Sequence, residues 1–107
     1  MSIQFYAEAV PMPLPTAHPP TTAWLQAVIQ AENQSLGELT YIFCDDAYLH
    51  QMNVEHLQHD TLTDVITFQY SNEVVEGDVF ISTERTTENA QTYGVSPQQE
   101  LYRVMVH

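Results

Sequence analysis

Lysine is missing from this chain, and arginine occurs only twice, at Arg85 and Arg103, against fourteen aspartates and glutamates. The formal net charge at pH 7 is -12. Such a field repels phosphate backbones and anionic membranes, and taken alone it argues against nucleic-acid binding. It also attracts cations, divalent ones included, and it suits high salt, where self-repulsion is screened. A single cysteine, Cys44, excludes an internal disulfide framework and a zinc site built from several cysteines. No apolar run approaches the roughly 20 residues that span a bilayer. The start, MSIQFYAEAV, lacks the basic and apolar regions of a signal peptide, so the expected compartment is the cytoplasm.

The 107 residues, 44% of them hydrophobic, are enough for one domain with one modest core. IQFYAEA (3–9) reads as a strand. PMPLPTAHPP (11–20) holds five of the six prolines and reads as an extended connector. A helix follows, with Thr22 as N-cap and Trp24, Leu25, Val28 and Ile29 at helical spacing; Gly37 is expected to close the turn after it. ELTYIFCDD (38–46) alternates Leu39, Tyr41 and Phe43 with Thr40, Ile42 and Cys44. Both sides are apolar, so this strand should be interior. DAYLHQMNVEHL makes a short helix capped by Asp45 or Asp46. VITFQY (65–70) and DVFIS (78–82), joined by SNEVVEG, read as an antiparallel hairpin. Ser82 or Thr83 opens a polar helix that stops at Gly94. Ser96, Pro97 and Gln99 then form an N-cap, a first-turn proline and a capping-box partner for a last helix. Its stripe of Leu101, Val104 and Met105 should put it centrally, and nothing in the sequence caps its far end. The expectation is an α+β domain with a mixed four-stranded sheet, a hairpin and about four helices around a central C-terminal helix.

The chemistry-bearing residues leave choices open. His56 and His59, three apart, could share a metal on one helical face, with Asp60 and Asp64 nearby; they also suit an exposed acidic turn. Asp64 in LTDVITF sits where a loop enters a strand. There it either accepts backbone donors or stands at the lip of the sheet where ligands gather. Asp78 reads as a turn residue. Cys44, inside a strand with no cation beside it, reads as a buried inert thiol. His107 would need a second ligand one helical turn on to hold a metal, and the chain supplies none.

Three stretches, LHQMNVEHLQHDTLTDVITFQY, GDVFIS and ELYRVMVH, together resemble the YbeY-type endoribonucleases, zinc-dependent enzymes of ribosomal RNA maturation. Met52 to Phe68 is similar to that family's L-N-x-x-(Y/H)-(R/L)-x-x-D-x-x-T-(D/N)-V-(L/I)-(S/T)-F segment, and a G-D strand follows it. The family's next helix carries H-G-x-L-H-L-x-G-Y-D-H, whose three histidines hold the metal. Only the first falls in this chain, as His107; the others would lie four and ten positions on. The resemblance implies a metal-dependent cleavage of single-stranded RNA, with His107 as a zinc ligand, His59 and Asp64 as catalytic residues and Thr63 on the substrate. It implies ribosomal RNA, and possible ribosomal proteins, as partners, with neither DNA nor membrane. It also implies that residues 1–107 are a single domain lacking its C-terminal metal-binding segment. Two features depart from the pattern. Leu57 stands where many members have an arginine, so His59 would have to serve in its place, and the basic surface expected of an RNA enzyme is missing. Two other classes stay open: a zinc metalloprotease-like hydrolase, and a non-catalytic acidic module that binds proteins.

Overall fold

A computed structural model describes residues 2–14, 19–57 and 63–106. In chain order the elements are β1 (Ser2–Ala7), α1 (Pro19–Ala31), β2 (Leu36–Cys44), α2 (Asp46–Leu57), β3 (Val65–Gln69), β4 (Val75–Ser82), α3 (Thr83–Tyr93) and α4 (Pro97–Met105). The sheet order is β1-β2-β4-β3. β2 runs parallel to both β1 and β4, and β3 pairs antiparallel with β4. The mixed four-stranded sheet, the hairpin and the four helices are those expected, and β2 is interior.

The alternation in β2 sorts the core into two faces. Leu39, Tyr41 and Phe43 join Val79 and Ile81 of β4 beneath Leu25 of α1 and Leu101, Val104 and Met105 of α4. Phe5 of β1 stacks on Tyr41 and Phe43, with ring centroids 5.7 and 6.5 Å away. The other face gathers Cys44, Leu49 and Ile66, with Met52, Phe68 and Phe80 against them. Burial pushes the Cys44 thiol up to about 12, with Asp45 and Asp46 adding to the shift. The inert thiol expected from the sequence is what stands there.

Local rules explain where elements stop. β1 ends earlier than its sequence pattern because Ala9 takes a left-handed φ of 65°, just after the Glu8 N–H bonds the Phe43 carbonyl at 2.7 Å. α1 starts at Pro19, ahead of the expected Thr22 cap. Proline is tolerated in a first turn because its missing N–H would have had no partner there. The helix is closed by Asn33 rather than by Gly37. Asn33 has φ 58°, its N–H reaches the Gln30 carbonyl at 2.9 Å, and the Gln34 N–H reaches Ile29 at 3.1 Å. That is the Schellman pattern, and asparagine tolerates its left-handed position. Gly37 lies inside β2. Gly94 closes α3 in the same way, with Val95 N–H on the Ala90 carbonyl at 3.0 Å. At α4 the Ser96–Gln99 capping box is complete.

β4 begins at Val75, so Gly77 is within the strand rather than before it. A methyl group there would overlap the Phe68 carbonyl oxygen of β3, and its φ of 156° disfavours other residues. The glycine lets the two strands cross closely. Asp78 is likewise a strand residue; its carboxylate accepts from the Tyr70 hydroxyl at 2.8 Å.

Candidate active site

Asp64 and Thr63 stand immediately before β3, at the end of the hairpin where β4 passes into α3. The Asp64 carbonyl accepts the Ser82 N–H at 3.0 Å, which pins this loop end to the last residue of β4. The Thr63 hydroxyl donates to the Val65 carbonyl at 3.3 Å. Both residues are half-buried. The carboxylate is therefore carried on backbone that the sheet itself fixes.

α4 brings a cation to the same neighbourhood. Arg103 Nε and Nη2 donate to Glu100 Oε1 and Oε2 at 2.8 and 2.7 Å. Glu100 is only 1% exposed, whereas the Arg103 side chain is 53% exposed. A carboxylate removed from water needs such a fork, and the bidentate geometry is the strong form of the pair. The Arg103 hydrogen bonds hold Glu100 below its ordinary pKa, against the opposing effect of burial. The arginine is raised chiefly by Glu100, with Asp64 and Tyr93 adding to it. Arg103 thus lies within the field of Asp64.

The other arginine braces element starts at this same end of the sheet, next to Ser82. Arg85 donates from Nη2 to Asp46 Oδ2 at 3.0 Å and pairs with Glu88. Asp46 Oδ1 accepts the Ser82 hydroxyl at 2.6 Å, and the Asp46 N–H donates to Glu84 Oε1 at 2.8 Å. This clasp joins the starts of α2 and α3 at the ends of β2 and β4. Burial opposes ionisation of Asp46, but the bonds from Arg85 and Ser82 outweigh it and lower its pKa.

Of the residues singled out from sequence, the structure places Asp64 and Thr63 together. His59, Asp60 and His107 lie outside the described residues. His56, at the end of α2, sets its ring edge-on to Phe68 at 6.0 Å, an aromatic contact. Among the described residues, no group of three or more histidine, cysteine or carboxylate side chains could hold a metal ion. The donors among the described residues do not by themselves complete a zinc site. Sequence reading missed both arginine pairs. The i,i+3 spacing of Glu100 and Arg103 was a usable signal. Asp46 and Arg85 are 39 residues apart, and no local pattern announces them.

A family model described as Endoribonuclease YbeY matches residues 6–107. An endoribonuclease YbeY of Flavobacterium johnsoniae is 54% identical over 88 residues, covering 80% of this chain and 63% of that protein. One of Amoebophilus asiaticus is 46% identical over 108 residues, covering 99% of this chain and 73% of the relative. A Thermotoga maritima protein known from a solution structure shares the fold, with a TM-score of 0.71 at 20% identity, over 99% of this chain and 68% of that one. The class is that of an α+β domain with a mixed four-stranded sheet and a carboxylate at the head of an edge strand. The chain belongs to the endoribonuclease YbeY family. It spans only about two thirds to three quarters of the length of these curated relatives.

Proposed function

We propose that the protein containing this chain is a zinc-dependent endoribonuclease that cleaves single-stranded RNA during ribosomal RNA processing in the cytoplasm. The observation that carries this reading is the family match running across residues 6–107, through the T-D-V-I-T-F segment on which Asp64 stands. Among the described residues no helix is long and apolar enough to cross a membrane. His107 would be one metal ligand, in a set completed by residues that follow it in the family pattern. Zinc, if held there, would supply Lewis-acid polarisation and would make a bound water more acidic.

The chain's own residues have narrower tasks. Asp64 orients a water or a ligand imidazole from its fixed position at the sheet's lip. Thr63 offers a hydroxyl to substrate, at the cost of its 3.3 Å bond to Val65. His59, in the segment before them, exchanges a proton in the role that Leu57 cannot fill. On this reading residues 1–107 are a single domain lacking its C-terminal metal-binding segment.

Asp64→Ala in the complete gene product tests this. Zinc content and cleavage of a generic single-stranded RNA should fall at least about tenfold, while thermal unfolding stays within roughly 0.5 kcal/mol, because the bond that fixes this loop end is made by the Asp64 backbone and not by its side chain. Equal loss of stability with zinc uptake and RNA cleavage intact would leave Asp64 a loop brace. Casein in parallel distinguishes a protease, which would cut casein and spare RNA.

A further inference from the structure

Tyr93, Val95, Gln99, Glu100 and Arg103 line a hollow of about 490 Å³ where α3 passes into α4. That is a size that suits a small-molecule group. Two of its walls are apolar and open to solvent: Tyr93 is 62% exposed and Val95 40%. The backbone around it is held at both ends. Gly94 closes α3 in the left-handed conformation, and the Gln99 side chain accepts the Ser96 N–H at 3.0 Å. Arg103 lies within the field of Asp64, so the hollow borders the candidate active site.

The unused part of Arg103 decides what fits. A guanidinium has five N–H donors in a planar fork. Glu100 takes the edge made by Nε and Nη2. The end-on edge, made by Nη1 and the second N–H of Nη2, has no partner among the described residues, and the side chain is 53% exposed. A phosphate matches this edge poorly. Glu100 already cancels the positive charge, Asp64 adds a second carboxylate to the neighbourhood, and the chain carries -12. An uncharged group with two acceptors side by side meets no such repulsion. Guanine offers them, as O6 and N7 on one edge, whereas adenine sets an amino group against the same donors.

We propose that Arg103 and Tyr93 form a guanine-recognition subsite for single-stranded RNA, with Arg103 donating from its end-on edge to O6 and N7 and Tyr93 stacking on the base. The proposal deepens the ribonuclease reading and rests on it for the substrate. Glu100 is then a positioning residue, because its two-point hold fixes the guanidinium plane and with it the direction of the free edge. Stacking on a tyrosine is sequence-tolerant, so the choice of base lies with the arginine.

Oligouridylate carrying one guanosine, adenosine or 7-deazaguanosine, which keeps O6 but lacks N7, tests this on the complete gene product. The kcat/KM for cleavage should be at least about tenfold higher with guanosine than with adenosine, and 7-deazaguanosine should lose most of that advantage. Arg103→Lys keeps a cation beside Glu100 but has no fork, so the guanosine-to-adenosine ratio should fall below about threefold. Tyr93→Ala, at an exposed position, should weaken both purine strands by about tenfold and preserve their ratio, and Tyr93→Phe should restore them. Because 7-deazaguanosine alters only the RNA, the test holds even if a variant folds poorly. Cleavage of all three strands at equal rates would overturn the subsite and leave the nuclease reading standing. If the complete protein cuts none of them, the nuclease reading falls, and equilibrium binding of the same strands, read by fluorescence anisotropy, decides the subsite by the same ratios. Equal weakening of every strand by Arg103→Lys would make the group a phosphate contact and overturn the base assignment.

Discussion

Replacing Arg103 with alanine removes both donors from a carboxylate that has almost no access to water. Glu100 is 1% exposed and loses bonds of 2.8 and 2.7 Å. Breaking a wholly buried pair costs about 3–5 kcal/mol, while an exposed pair is worth about 0–1. This pair is intermediate, because the arginine is 53% exposed and solvent screens it. A loss of about 2 kcal/mol at pH 7 follows, or a melting point lower by roughly 10 °C in a domain of this size. Acid supplies the sharper check. In the parent chain Arg103 lowers the Glu100 pKa below its ordinary 4.5. A depressed carboxylate contributes stability that is complete above the unfolded value and is lost as pH falls through the folded value. Without the arginine, burial acts unopposed and raises the Glu100 pKa. The variant should therefore approach the parent as pH falls from 7 to 3, because protonated Glu100 no longer needs a cation. Urea unfolding at both pH values measures the gap, and Glu100→Gln in the variant should recover part of it at pH 7. A gap under about 0.5 kcal/mol at pH 7, or one that does not change at pH 3, would refute the reasoning.

Two further outcomes concern the core. Gly77→Ala should cost at least about 2 kcal/mol by urea unfolding, because the new methyl meets the Phe68 carbonyl of the paired strand; an unchanged midpoint would mean that β3 and β4 cross less closely. Cys44, its pKa pushed up to about 12, should resist a disulfide reagent at pH 8 in the folded chain and react fully in denaturant; rapid reaction in the native state would contradict its burial.

The helices and strands were legible where pattern and punctuation agree. The period-two alternation of Leu39, Tyr41 and Phe43 marked an interior strand, and Ser96, Pro97 and Gln99 marked a helix start to the residue. Glycine was the less reliable sign. Gly37 and Gly77 looked like turn residues, yet both lie in strands, and at Gly77 the reason is a close interstrand crossing that sequence does not display. Prolines misled in the same way at Pro19, where a first helical turn accommodates them. The candidate site was legible only in part. Asp64 stood out because a carboxylate at a loop-to-strand junction has two readings, and its neighbour from α4 was invisible because tertiary packing alone brings Arg103 near it.

The two arginines also resolve what first looks like a contradiction in composition. A chain with fourteen carboxylates keeps its only two guanidiniums, and both are turned to architecture. Arg85 ties the start of α2 to the start of α3 through Asp46, and Arg103 makes it possible to bury Glu100 where α4 meets the core. Each pair is close to neutral when viewed from a distance, so neither lessens the long-range repulsion that a phosphate backbone would feel. Under the ribonuclease reading, attraction for RNA then has to arise at short range, from a metal ion and hydrogen-bond donors at the lip of the sheet, rather than from a basic surface. That division explains why charge composition argued one way and the motif the other. Composition reports the far field, while a residue such as Asp64 acts only within the few ångströms over which its own contacts count.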